Sequence, residues 1–345
     1  MEEIILLFDY KKSFGSKFNS NPPYSGIDIA LFSTEMEKLG YKIAPTYFFN
    51  MVAQNVEQYK GKKVLYQSSE PNDLYQEYKS YIDDILYFLE LCGAQLIPKY
   101  KYFKSHSNKV FMEMLRGFIN DHNSPQTIAY GSLEDFMLHQ IKNEFPLIVK
   151  KSHGAQSKGV FKVDNKRELE SIVNKITKST FTIKELLKEK LRSKKYKNYI
   201  PFSINRSKFI IQPMIKGLSG DYKVLIFGDI IYLVKRENPP NDFRASGGGY
   251  NTFTGEFKVP EGLLEYAYEL FRHFDCPYTS LDIGLNSSGF HLIEFQFVNF
   301  GSSGHLKSKK YFKKEDNDYI LYDNDLSIEY LYAHGLDIYF RERSL

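Results

Sequence analysis

The stretch that decides the reading is Ser280-Leu-Asp-Ile-Gly-Leu-Asn-Ser-Ser-Gly-Phe-His-Leu-Ile-Glu-Phe-Gln-Phe297. Apolar residues alternate with others on both sides of Asn286-Ser-Ser-Gly289, the mark of two short strands joined by a tight turn. A three-residue loop from Ser287 to Gly289, with Gly289 left-handed as only glycine is at little cost, sets Asn286 opposite Phe290, Gly284 opposite Leu292 and Asp282 opposite Glu294. Gln296 lies two residues beyond Glu294 and shares its face. Two carboxylates and a carboxamide oxygen then converge. Such an all-oxygen set suits Mg²⁺ (or Mn²⁺) carrying phosphates. The plainer reading of the same residues is a surface hairpin with scattered acids.

Working outward, alternating strands and helices fill the first hundred residues. Ile4 to Phe8, Lys63 to Gln67 and Gln95 to Pro98 read as strands; Gly26 to Leu39 and Leu74 to Cys92 read as helices, the second ending at Gly93. This is the pattern of a small α/β domain with a parallel sheet. A short apolar helix is expected from Val110 to Ile119. Residues 208–304 are strand-rich apart from a helix at 261–274, and a final helix spans Leu326 to Arg343 after a basic and then an acidic tail segment.

A length of 345 residues with 42% hydrophobic content suits a soluble globular chain of two or three domains. The net charge is +4, but residues 178–208 hold ten Lys/Arg and two Glu, leaving 36 basic and 40 acidic residues elsewhere. Nucleic acid is therefore not expected as a partner. Within that region Ile183 to Lys195 reads as a basic helix and Tyr196 to Ser207 as a loop; the whole is an insertion, and its lysine-rich residues 184–197 suit an acidic acceptor, a nucleic acid or, by default, a solvated face. Cys92 and Cys276 have no metal or disulfide spacing. The first residues lack the features of a signal peptide, and no run approaches a membrane span of about 20 apolar residues. The expectation is a cytoplasmic protein with no membrane partner; a homodimer is left open.

Five further segments occur in a fixed order: Phe145-Pro-Leu-Ile-Val-Lys-Lys151, His153-Gly-Ala-Gln-Ser-Lys-Gly-Val160, Phe209-Ile-Ile-Gln-Pro-Met-Ile-Lys-Gly217, Asp221-Tyr-Lys-Val-Leu-Ile-Phe-Gly228 and Asp242-Phe-Arg244. Gly154 and Gly159 bracket a loop whose backbone N–H groups can approach phosphate oxygens. It is not a Walker A loop, because Val160 stands where the lysine belongs. With the hairpin, these segments resemble the ATP-grasp superfamily from Lys109 to Gly304, and most closely carboxylate–amine ligases like the enzyme that adds glutamates to a ribosomal protein.

The resemblance implies an α/β fold, α+β in part: an ATP-grasp fold preceded by a small α/β pre-ATP-grasp domain. The expected boundaries are 1–104 for that domain, 105–207 for the central ATP-grasp subdomain with the insertion at 178–207, and 208–345 for the C-terminal subdomain with the metal hairpin. It places Lys109 and Lys150 on the phosphates, Gly154 and Gly159 in the phosphate loop, and Gln212, Met214 and Ile215 around adenine, with Asp221 toward the ribose. Asp282, Glu294 and Gln296 become the metal ligands, and ATP and Mg (or Mn) the cofactors. Arg236 and Arg244 are the candidates for stabilising charge in phosphoryl transfer; the plainer reading of Arg244 is a pair with Asp242 on a surface loop. Two departures stand out: Ser246 where the family often has Asn, and Gln296 where it usually has Asn. The implied activity joins a small-molecule or peptide carboxylate to an amine through an acyl phosphate. A phosphotransferase with a hydroxyl or amide acceptor, and a catalytically silent nucleotide-binding protein, remain as alternatives.

Overall fold

The structure is a computed structural model that describes residues 1–15, 26–51, 56–67, 76–119, 125–139, 144–154, 159–179, 182–245 and 250–343. In chain order it contains β1 (Glu2–Phe8), α1 (Ile29–Lys38), β2 (Tyr41–Tyr47), β3 (Lys63–Leu65), α2 (Gln76–Leu91), β4 (Gln95–Ile97), α3 (Tyr100–Ser105), α4 (Lys109–Arg116), β5 (Ile128–Tyr130), α5 (Leu133–Leu138), β6 (Leu147–Lys151), β7 (Val160–Val163), α6 (Lys166–Thr177) and α7 (Ile183–Lys195). There follow β8 (Phe209–Pro213), β9 (Gly220–Phe227), β10 (Ile230–Glu237), β11 (Asn251–Phe253), α8 (Leu263–His273), β12 (Tyr278–Asn286), β13 (Gly289–Gln296), α9 (Ser303–Lys307), β14 (Lys310–Glu315), β15 (Asp318–Asp323) and α10 (Ile328–Arg343). The mixed α/β class is as the sequence implied. Two compact units emerge: 1–106 with 115–124 and 217–345, and 107–114 with 125–216.

The first unit holds two sheets. One is parallel, in the order β2-β1-β3-β4. Its edge strand β2 was not visible as a strand in the sequence; Pro45 interrupts it, and an edge strand tolerates the missing N–H. Asp28 starts α1 by accepting from the Ala30 and Leu31 amides at 2.9 and 3.1 Å. The other sheet is antiparallel, β13-β12-β9-β10-β14-β15, with β11 on β10. One core serves both: Leu6 and Phe8 from β1, Leu225 and Phe227 from β9, Tyr232 from β10, Tyr278 from β12, and Leu331, Tyr332 and Leu336 from α10. The final helix is thus a core element. The basic and acidic tail segments fold as the hairpin β14–β15, where Lys310 pairs with Asp323 at 3.3 Å.

The second unit is an antiparallel sheet, β5-β8-β6-β7. The period-two pattern of β6 and β8 sends Leu147, Val149, Phe209 and Ile211 into a core with Leu169, Val173 and Ile176 of α6. The insertion forms the expected basic helix α7. Thr182 and Glu185 make a reciprocal capping box, and no residue of α7 is buried. Its neck is closed by Ser179, whose hydroxyl donates to the Arg206 carbonyl at 2.9 Å and accepts from the Arg206 amide at 3.1 Å. Among the described residues no helix is long and apolar enough to cross a membrane.

Candidate active site

The hairpin turns in two residues, not three. Asn286 pairs with Gly289, Leu285 with Phe290, Gly284 with His291 and Ile283 with Leu292. The expected pairs Asn286–Phe290 and Gly284–Leu292 are thereby corrected by one residue. The reason is the Asn286 side chain: its Oδ1 accepts from the Ser288 amide at 2.9 Å and the Ser288 hydroxyl at 2.7 Å, closing the turn early. Gly289, at φ +114°, becomes the first residue of the returning strand. Continued unbroken, this register would put Ile293 opposite Asp282. It does not continue: the pairing shifts between Ile283 and Asp282, Ile293 is left over as a bulge, and Asp282 faces Glu294 as expected. Ser280 then faces Gln296.

The two neighbouring strands extend this face. Asp282 also pairs with Lys223 of β9, and Asp221 of β9 pairs with Arg236 of β10. Residues directly opposite or two apart share a face. Asp221, Lys223, Arg236, Ser280, Asp282, Glu294 and Gln296 therefore line one surface, continuous along each strand with the Leu225, Phe227, Tyr232 and Tyr278 core. Lys223 was not singled out from sequence; the signal was its place two residues after Asp221.

Charge on this face is tightly matched. Arg236 donates from Nε to Asp221 Oδ1 at 2.5 Å. Its Nη2 lies 2.8 Å from Asp282 Oδ2, a close ion pair. Lys223 Nζ is 3.7 Å from Asp282 Oδ1. Burial works against the charge on Arg236, but Asp282 and Asp221 outweigh it and hold its pKa above the ordinary value. Burial likewise opposes the Asp282 charge, yet Arg236 and Lys223 hold that carboxyl low. Asp221 goes the other way: burial first, then the Asp282 charge, push it up to about 6 despite Arg236. Gly220 makes the Asp221–Arg236 approach feasible, since a Cβ there would lie 2.1 Å from the Arg236 carbonyl oxygen.

Arg244 follows β10 and is engaged by its near neighbour. Its Nε and Nη2 donate to Asp242 Oδ1 and Oδ2 at 2.9 and 2.8 Å, and its amide donates to Oδ1 at 2.9 Å. Ser246 and the glycines beyond it lie outside the described residues, as do residues 155–158 of the phosphate loop.

The remaining candidates belong to the second unit. Lys109 opens α4; its amide donates to the Ser152 carbonyl at 3.0 Å and its Nζ to the Gly154 carbonyl at 3.1 Å. Asn108 accepts from the Ser152 hydroxyl at 3.1 Å, so this helix start is tied to the strand end that enters the glycine loop. Gly154 has φ +126°, and the Gly159 carbonyl accepts from the Lys151 amide at 2.8 Å. Lys150 is buried on β6, on the face opposite Leu147 and Val149. Gln212 pairs with Ile148 and shares that face with Lys150. Its Oε1 is buried with no hydrogen-bond partner among the described residues. Met214 follows, its amide donating to the Pro146 carbonyl at 3.2 Å, and Ile215 is half-buried.

At the candidate metal position the donor types suit a hard cation. Asp282 Oδ1 and Ser280 Oγ are buried without a hydrogen-bond partner among the described residues, beside Glu294 and Gln296. Hard oxygen donors of this kind match Mg²⁺ or Mn²⁺. Among the described residues no cluster of three or more His, Cys, Asp and Glu side chains is drawn up for a metal; the candidate set has two carboxylates and relies on the Gln296 carboxamide.

No family profile and no curated protein matches the sequence. Solved structures do match. The D-cycloserine synthetase DcsG is similar at a TM-score of 0.53, with 12% identity over 97% of this chain and 98% of that one. The D-Ala:D-Ser ligase VanG from Enterococcus faecalis gives 0.51, with 13% identity over 98% and 99%. The ATP-grasp ligase PsnB complexed with a minimal precursor gives 0.50, with 10% identity over 98% and 99%. At such identities the likeness speaks for the fold, and the chain has the ATP-grasp fold.

Proposed function

We propose that this protein is an ATP- and Mg²⁺-dependent (or Mn²⁺-dependent) carboxylate–amine ligase that forms an amide or peptide bond through an acyl phosphate. The observation that carries the reading is the face shared by Asp221, Lys223, Arg236, Asp282, Glu294 and Gln296. It sets oxygen donors beside buried cations, the pairing that nucleotide phosphates require. Asp282, Glu294 and Gln296 would hold the metal, which when bound screens phosphate charge and draws electrons from the phosphorus.

The substrate carboxylate attacks the γ-phosphorus of ATP, the bond to ADP breaks, and the amine then displaces phosphate from the acyl carbon and loses a proton. Negative charge grows on the phosphoryl oxygens in the first step. Arg236, oriented by Asp221, and Lys223 are the fixed cations that favour that charge. In this assignment Asp221 acts on Arg236, to which it is bonded, and not on the ribose. Arg244 serves the same charge once freed from Asp242. Lys109 and Lys150 hold phosphates, Gly154 and Gly159 frame the phosphate loop, and Gln212, Met214 and Ile215 take adenine. The orphaned Gln212 Oε1 supports that last role, since the adenine amine is a donor of the kind it lacks. No protein nucleophile is required.

Similar folds include a D-Ala:D-Ser ligase and an ATP-grasp ligase complexed with a minimal precursor, and amino-acid and peptide carboxylates are the first substrates to try. The protein acts in the cytoplasm on soluble substrates. The test incubates it with ATP, Mg²⁺ and pools of carboxylates and amines, following ADP and product mass. ADP release that needs both a carboxylate and an amine, with a product lighter than the pair by one water, supports the proposal. ADP release with a hydroxyl acceptor alone makes it a kinase, and ATP binding without ADP under any acceptor makes it a silent binder.

A further inference from the structure

The bulge at Ile293 decides whether Glu294 reaches the face of Asp282. Leu292 and Glu294 are two apart and in a regular strand would share a face; the extra residue puts them on opposite ones. Such a bulge needs support. Among the described residues β13 is the edge strand of its sheet, so its outward carbonyls have no ladder partner there, and the bulge interrupts the ladder further.

Arg116, in the last turn of α4 and only 5% exposed, meets that need. Its Nη1 donates to the Leu292 carbonyl at 2.7 Å and its Nη2 to the Ile293 carbonyl at 2.9 Å. The guanidinium also lies over the Phe295 ring, 5.6 Å from its centroid. It thus grips the residues on both sides of Glu294. The planar fork sends N–H groups from two nitrogens to two successive carbonyls in a fixed geometry, which the rotatable donors of an ammonium do not preset.

We infer that Arg116 is a positioning residue: by holding the bulge at Ile293 it keeps Glu294 opposite Asp282 and so sets the metal site. This rests on the proposed role of the two carboxylates. A purely structural arginine would affect stability alone. A positioning arginine affects metal affinity, and it becomes dispensable once the bulge is gone. Deleting Ile293 removes the extra residue and leaves Ile283 opposite Leu292 and Asp282 opposite Glu294 in an unbroken ladder.

The experiment compares the wild type, Arg116→Gln, Arg116→Lys, deletion of Ile293, and that deletion combined with Arg116→Gln. Mn²⁺ binding in the presence of ATP is measured by electron paramagnetic resonance on the folded fraction, and amide hydrogen exchange is followed in peptides covering 280–296. Arg116→Gln is expected to lower Mn²⁺ affinity about 10–100-fold, the usual consequence of losing support for a ligand, and to speed exchange in the hairpin. Arg116→Lys should fall between. The double variant should bind Mn²⁺ within about threefold of the deletion alone, the non-additive outcome of two changes that act through one shared bulge. Unchanged affinity and exchange in Arg116→Gln overturn the inference, as does a double variant no better than Arg116→Gln. If Arg116→Gln does not fold, Arg116→Lys with wild-type affinity and exchange overturns it. If the wild type itself binds no Mn²⁺, the metal reading fails, and exchange alone decides: faster in Arg116→Gln and slowed again by the deletion supports the register claim, and no change overturns it.

Discussion

Replacing Arg236 with Met tests the electrostatic centre of the site. The side chain is about 10% exposed, lies 2.5 Å from Asp221 and 2.8 Å from Asp282, and has no apolar reason to be there. Met fills similar volume but leaves two buried carboxylates facing one ammonium, Lys223, at 3.7 Å from Asp282. Breaking a buried ion pair by removing one partner typically costs about 3–5 kcal/mol, because the other charge stays behind. The loss should be larger at pH 8 than at pH 5, since the abandoned carboxylates take up protons more readily when folded than when unfolded, and below their raised pKa values the penalty disappears. Urea unfolding followed by tyrosine fluorescence is the assay; the chain has 27 Tyr and no Trp. Adding Asp221→Asn removes one stranded charge and should recover a large share of the loss. Mg²⁺ at 100 times its dissociation constant should return roughly 2.7 kcal/mol. A loss below about 1 kcal/mol, the level of an exposed pair, or no recovery in the double variant, refutes the reasoning.

Asp282→Asn and Glu294→Ala should each abolish ADP formation while circular dichroism stays unchanged, and Gln296→Asn should be tolerated; near-normal turnover in either acidic variant at saturating Mg²⁺ removes them from the metal site. Arg244→Ala should cut kcat by a factor on the order of 10²–10³ with little change in calorimetric ATP affinity, the pattern of a residue needed only in the transition state. Parallel collapse of ATP affinity would make it a ground-state anchor. Deleting much of residues 184–200, a segment in which α7 has no buried residue, should leave ATP binding largely intact and impair use of the true acceptor. Because Asp221 is pushed up to about 6, it stabilises the metal-free fold fully below the unfolded pKa near 4 and progressively loses that contribution as pH rises through 6. The stability gap between wild type and Asp221→Asn should therefore narrow over that range in thermal melts.

The sequence alone determined what depends on local pattern. Alternation on both sides of Asn286 to Gly289 marks two strands whatever surrounds them, and the oxygen-bearing residues at 282, 294 and 296 follow from counting. The basic helix from Ile183 to Lys195 was legible in the same way, and the structure closes its start with the Thr182–Glu185 capping box. Even the Asp282–Glu294 pairing was legible, although by a route the structure corrects: the loop is one residue shorter and the bulge at Ile293 restores the count. What only the tertiary structure decided is which distant residues share that face. Asp221 and Arg236 are 15 positions apart, and the hairpin comes more than 40 later; hydrogen bonding along β9 brings them together. The same holds for Arg116, whose carbonyl partners lie 176 and 177 residues away. Arg244 shows the reverse, a candidate for distant chemistry that in this structure is held by the aspartate two residues before it. A repeat of two or 3.6 tells which side chains point the same way along one element. Strand order and register between elements come from burying the core around Leu225, Phe227, Tyr278 and Tyr332 and from satisfying backbone groups, and those are properties of the whole chain.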